Sequence, residues 1–204
     1  MPLPRKAPQE PDPQTLAACR AGDPAALERV FREQLPVLER LLARLLGPDP
    51  DREDVLQQVL LAAVAAFPAF RGEASVRTWL AGIAIRTVRQ HWRQGAPRRR
   101  VPLELVPEPE GDPGQGPGPL LADQREGIRR LYEHLEALSE RKRIAFVLHV
   151  LEGRSIAEVA ALMEATLSAT KSRVFFARRE LVKRARRDPL LSSLVQHGQG
   201  EGER

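Results

Sequence analysis

Apolar positions recur at three- and four-residue intervals in two blocks of the chain, and this spacing predicts helices. In the first block, Thr15 to Ala21 and Pro24 to Gln34 read as helical. They are separated at Gly22-Asp23-Pro24, where Asp23 can cap and Pro24 can take the first helical position. A further helix is predicted from Pro36 to Leu46, with Val37, Leu38, Leu41, Leu42 and Leu45 on one side; GPDPD then breaks it. Asp51 to Phe67 follows, with Val55, Leu56, Val59, Leu60, Ala63 and Phe67 on its apolar face and Glu53, Asp54, Gln57 and Gln58 opposite. Phe67-Pro68 closes that helix, and FRGEA makes a loop before Ser75. Ser75 can cap a helix running to about Gln94, in which Trp79, Leu80, Ile83, Ala84 and Val88 point inward.

The second block predicts helices from Asp123 to Leu138 and from Glu140 to Leu151, with Ser139 as cap and Gly153 as terminator. Ile156, Val159, Ala160 and Met163 then form a short stripe, interrupted at Glu164-Ala165-Thr166. A last helix turns Leu167, Thr170, Val174, Ala177 and Leu181 inward. Helix, three-residue turn and basic helix make a helix-turn-helix, whose second helix presents its N-terminal side chains to base edges. Ser168, Lys171, Ser172 and Arg173 lie near that N-terminus.

Between the blocks, VPLELVPEPEGDPGQGPG lacks periodicity and is rich in Pro and Gly, which makes it a linker. The expected organisation is therefore a disordered N-terminus (1–12), a helical domain (13–96), a flexible linker (97–119), a second helical domain (120–187) and a polar tail (188–204). The predicted fold class is all-α: two small helical domains on a Pro/Gly-rich linker.

Composition narrows the chemistry. Aromatic residues are only 4% of the 204, which favours helix over strand, and 42% hydrophobic content suffices for a core in one domain or two. The net charge of +5 is concentrated in Arg86 to Arg100 and Lys171 to Arg187, so two separate contacts with a polyanion are expected. Cys19 is the single cysteine and the four histidines are scattered, so no metal site or cofactor is expected. No Gly-rich phosphate loop and no convergent nucleophile-base set occurs, so no enzyme is expected. Without a long apolar run or an apolar leader, the expected location is the cytoplasm, with no membrane insertion.

DREDVLQQV, FPAF, RGEASVRTWL and AGIAIRTVRQHWR together resemble, in order and spacing, domain 2 of bacterial RNA polymerase sigma factors of the extracytoplasmic-function (ECF) group. The resemblance implies that Asp54, Gln57 and Gln58 dock on the clamp of the largest catalytic subunit of core RNA polymerase. A glutamate is common in the family where Gln58 stands. It also implies that Phe70, Arg71 and Ser75 line a pocket for a base flipped from the minus-ten promoter element, with Trp79 bracing the helix beneath. Arg86, Arg89 and Arg93 then track the separating strands. Arg86 replaces a family asparagine and supplies donors only, so the family's preferred base does not carry over.

Leu135, Leu138, Arg141, Gly153, Ser155, Glu158, Ala160, Lys171, Ser172, Arg173, Ala177 and Arg178 match the pattern of sigma domain 4. That resemblance assigns minus-thirty-five DNA contact to Ser168, Lys171, Ser172 and Arg173. Glu164 stands where the family often has a turn glycine. The function implied is that of an ECF sigma factor: it binds core polymerase, directs it to promoter DNA, assists melting and is held in check by an anti-sigma factor. The alternative is a helix-turn-helix regulator that binds an operator without joining polymerase, which requires a dimer spanning two half-sites.

Overall fold

The computed structural model describes residues 10–94 and 122–188. The linker 97–119 and the tail beyond Asp188 lie outside the described residues, as do residues 1–9. Among the described residues there are eight α-helices and no strand, in the all-α class expected. They fall into two compact units, one built from the first four helices and one from the last four.

In the first unit the helices are α1 (Pro13–Arg20), α2 (Pro24–Leu46), α3 (Arg52–Ala66) and α4 (Val76–Arg93). Residues 10–12, expected to be disordered, make defined contacts: the Asp12 carboxylate caps α1 by accepting from Thr15 N at 2.9 Å. Its hydrogen bonds with Thr15, side chain first, hold the Asp12 carboxyl below its usual range. Asp23 caps α2 as expected, accepting from Ala25 N at 2.8 Å and Ala26 N at 3.2 Å.

The two helices expected on either side of Leu35 are one. Pro36 lies inside α2, which runs unbroken from Pro24 to Leu46. The reason is register: Leu27, Val30, Val37, Leu38 and Leu41 are all buried on one continuous stripe. Packing of that stripe against α3 and α4 outweighs the roughly 3 kcal/mol that an interior proline costs. At the base of the unit, Phe67 meets Phe31, Phe70 and Trp79 with ring centroids 6.0, 5.5 and 5.2 Å away. Trp79, expected to point inward, is half-buried and packs its ring against Phe67 and Phe70.

The second unit holds α5 (Ala122–Glu136), α6 (Glu140–Phe146), α7 (Ile156–Leu162) and α8 (Leu167–Ala185). Tyr132, Leu135 and Leu138 pack on Ala177 and Leu181 of α8. Beyond Phe146 the predicted helix continues to Leu151 in a wider π-type turn, with Glu152 N bonded to Val147 O at 2.9 Å. Ser139 occupies the cap position of α6 without a side-chain cap bond, so the expected capping interaction is absent there. Asp188, placed by the sequence reading in the polar tail, is buried and accepts from Arg130 Nη1 at 3.2 Å. Leu167 also departs from expectation: at 53% exposure it faces solvent in the first turn of α8 instead of the core.

α7 begins with a capping box in which Ser155 and Glu158 satisfy each other's backbone donors. Thr166 caps α8 by accepting from Ala169 N at 3.2 Å. The turn between them passes through Glu164 at φ 50°, the left-handed region that glycine occupies without a Cβ penalty. Replacing Glu164 by Gly should therefore raise the stability of this unit by about 0.5–1 kcal/mol, measured by urea unfolding of the full chain.

Glu126 on α5 receives hydrogen bonds from Arg129 Nε at 2.7 Å and Arg130 Nε at 2.9 Å. These contacts, Arg129's first, hold the Glu126 carboxyl at about 2, below the ordinary 4.5. Because the folded value is the lower one, the stabilisation is complete above about pH 4.5 and is lost as pH falls toward 2. E126Q should flatten the pH dependence of unfolding across that window. The single tyrosine, Tyr132, reports on this unit, while Trp79 and Trp92 report on the other.

Candidate partner and nucleic-acid surfaces

Three surfaces carry the expected site residues. The first is the outer side of α3. Val55, Val59 and Ala63 are fully buried, which fixes the helix rotation and turns Asp54, Gln57 and Gln58 to solvent. The same outer side carries two residues the sequence reading passed over, Leu61 at 71% and Val64 at 43% exposure. Leu61 lies one turn beyond Gln57 and Gln58, and Val64 lies three residues further. Leu61 and Val64, three residues apart, thus form a small exposed apolar pair that adjoins the polar Gln57 and Gln58 on their N-terminal side and exposed alanines elsewhere. The signal was present in the sequence: Leu61 and Val64 fall off the buried stripe but were absorbed into a generally apolar segment.

The second surface is the loop between Phe67 and Ser75 with the helix that follows it. Phe70 is only 5% exposed, its ring 5.0 Å from that of Trp79, so it supports the loop from below. Gly72 takes φ +78°, which lets the chain reverse between Phe70 and Ser75. Arg71 is exposed, 3.7 Å from an equally exposed Glu73, a contact that contributes little in water. Ser75 is half-buried and its hydroxyl is engaged: it accepts from Thr78 N at 3.0 Å and donates to Thr78 Oγ1 at 2.9 Å. Its observed part is thus to cap α4. Along α4, Arg86 and Arg93 are exposed and Arg89 half-buried, spaced i, i+3, i+7 on one stripe opposite Ile83, Ala84 and Val88.

The third surface is α8, second helix of the helix-turn-helix. Ser168, Lys171 and Ser172 are exposed and share one stripe, which Phe175, at 61% exposure, extends by a turn. Arg173 does not join them. It is half-buried on the flank, since residues two apart on a helix do not face the same way. Phe176, missed by sequence reasoning, lies with its ring 5.9 Å from Lys142 Nζ, and Lys142 also pairs with Glu180. These contacts link α8 to α6.

The chain matches two family models, Sigma-70 region 2 over residues 30–98 and Sigma-70 region 4 over residues 128–181. The RNA polymerase sigma-H factor of Pseudomonas aeruginosa is 28% identical over 185 residues, covering 86% of this chain and 94% of the relative. The ECF RNA polymerase sigma-E factor of Escherichia coli K12 is 32% identical over 140 residues, covering 64% of this chain and 72% of the relative. Among solved structures, CnrH in complex with the cytosolic domain of CnrY has the same fold at a TM-score of 0.63, with 22% identity over 86% of this chain and 97% of that one. With both sigma regions matched in order and a sigma-E relative at this identity, the chain belongs to the ECF RNA polymerase sigma factors, which direct polymerase to promoters for initiation.

Proposed function

We propose that the three surfaces divide the work of initiation. Asp54, Gln57 and Gln58, joined by Leu61 and Val64, dock on the clamp of core RNA polymerase. Ser168, Lys171 and Ser172 enter the major groove of the minus-thirty-five element, and Arg173, on the flank, reaches backbone phosphate. The loop around Arg71, supported by Phe70 and Ser75, holds a base flipped from the minus-ten element, and Arg86, Arg89 and Arg93 follow the parted strand. The cost of unstacking that base, a few kcal/mol, is offset by these contacts and by the polymerase to which the chain is bound.

The observation that carries this reading is the presence, on two separate units, of surfaces of different chemistry: a mixed polar and apolar face on α3 and, on α8, an exposed stripe of two serines and Lys171 near the start of a basic helix. An operator-binding regulator that used its first unit to bind another protein would account for both surfaces, but the match to both sigma regions and to an ECF sigma-E relative favours polymerase as that partner. The chain acts without catalysis of its own and works in the cytoplasm; no helix among the described residues is long and apolar enough to cross a membrane. An anti-sigma factor is the expected control. A structural neighbour of the same fold, at a TM-score of 0.53, is the sigma factor RpoE of Bartonella quintana in complex with the anti-sigma factor NepR.

The test is in vitro transcription from a pooled promoter library with purified chain and core polymerase. New transcripts sharing a two-part upstream motif are the expected result. Absence of both transcripts and core binding would return the operator-binding reading.

A further inference from the structure

The Phe70–Ser75 loop is held at both ends by residues from the start of the chain. At its first stem, Arg20 in the last turn of α1 donates from Nε to the Phe70 carbonyl at 2.8 Å, across fifty residues of sequence. The same guanidinium lies 6.0 Å from the centre of the Phe70 ring. A Cβ on Gly72 would sit 3.4 Å from Arg20 Nη2, so the side chain runs beneath the loop as far as its tightest point. At the second stem, the Glu10 carboxylate accepts from Val76 N at 3.1 Å, beside the Ser75 cap. The segment that carries both residues is itself fixed: Asp12 caps α1 through Thr15, and Arg29 Nη2 donates to Thr15 Oγ1 at 2.5 Å.

We propose that Arg20, assisted by Glu10, is a positioning residue for capture of the unpaired base, a brace that sets the loop in its receiving conformation before DNA arrives. The inference rests on the reading of this loop as the base pocket. A loop of this kind, glycine-turned and exposed at Arg71 and Glu73, loses conformational freedom on closing around a ligand, and fixing both stems in advance removes much of that cost. The charge-assisted bond to a backbone carbonyl is well suited to this, because it holds the chain whatever side chain the loop presents. Neither residue needs to touch the base. Beneath the loop, the ring contacts of Phe67 with Phe31 and Trp79 are made without Arg20 or Glu10.

The experiment uses the full chain with core polymerase and a short single-stranded oligonucleotide carrying the downstream motif recovered from the promoter library. An abasic site is placed at each position in turn. In the wild type, one position should show about a tenfold loss of affinity when its base is removed. R20A should bind the intact strand about tenfold more weakly and show almost no further loss at that position, because the base is no longer held. R20K should recover part of the base dependence, and E10A should lose about threefold, with duplex minus-thirty-five affinity and the Trp-monitored unfolding midpoint unchanged in E10A. If R20A fails to fold, R20K and E10A carry the comparison. An R20A protein that keeps the full abasic penalty overturns the brace while leaving the pocket standing. A wild type without any base-dependent position brings down both.

Discussion

Replacing Leu61 by Asp should weaken binding to core RNA polymerase by about a hundredfold while destabilising the free chain by only about 0.5 kcal/mol. The two halves of that expectation come from the same observation. Leu61 is 71% exposed on the outer side of α3, so the folded chain alone neither gains nor loses much from its side chain. A docked partner would bury it. A carboxylate introduced there must then be desolvated without a counter-charge supplied by this chain, and that penalty falls entirely on the complex. Reversing Asp54 to Lys should cost about tenfold. Asp54 is in the first turn of α3, where a negative charge suits the helix dipole, so the reversal also costs the free chain about 0.5 kcal/mol. D54N separates the two effects. Equilibrium binding of labelled chain to core polymerase is the measurement, and full affinity in both L61D and D54K would move the polymerase contact off α3.

These substitutions also show where reading the residues in order was enough and where it was not. Periodicity placed α3 and α4 to within a residue or two because their buried stripes are strict and their ends carry signals, Ser75 at one and Phe67-Pro68 at the other. It divided α2 wrongly because proline is a local rule, whereas the Leu27 to Leu41 stripe is a property of the whole helix. Glu164 was legible as a residue standing in for a turn glycine, and its φ of 50° lies in the left-handed region that glycine favours. The site was harder. Leu61, Val64 and Phe175 were hidden because an apolar residue in an apolar helix reads as core until the rotation of the helix is known. Arg20 and Glu10 were invisible for a different reason: their partners lie fifty and sixty-six residues away, and no local pattern encodes a side chain that bonds a distant backbone atom. Ser75, in contrast, was read correctly as a cap, and the structure explains why that part comes first, since both hydrogen-bonding directions of its hydroxyl are taken by Thr78.

Lys171→Ala should reduce affinity for duplex promoter DNA and also flatten its dependence on salt. Arg173→Ala should flatten the salt dependence as well, with less effect on sequence preference. Each cation that neutralises a phosphate releases condensed counterions and adds about 0.9 to the magnitude of the slope of log affinity against log salt. The geometry divides the two residues. Lys171 stands on the exposed stripe with Ser168 and Ser172, the side of α8 that faces the groove in a helix-turn-helix docking, and there a long cation has both base edges and phosphates within reach. Arg173 is half-buried on the flank, a position from which backbone contact is expected rather than base readout. The expected pattern is therefore a changed ranking of promoter variants in K171A and a preserved ranking with uniformly weaker binding in R173A. Titrations over a salt series, on the motif recovered from the library and on single-base variants of it, distinguish these outcomes. Unchanged slopes in both variants would remove the N-terminal half of α8 from the DNA interface, whereas a slope change in R173A alone would place the phosphate contact on the flank and leave base readout to Ser168 and Ser172.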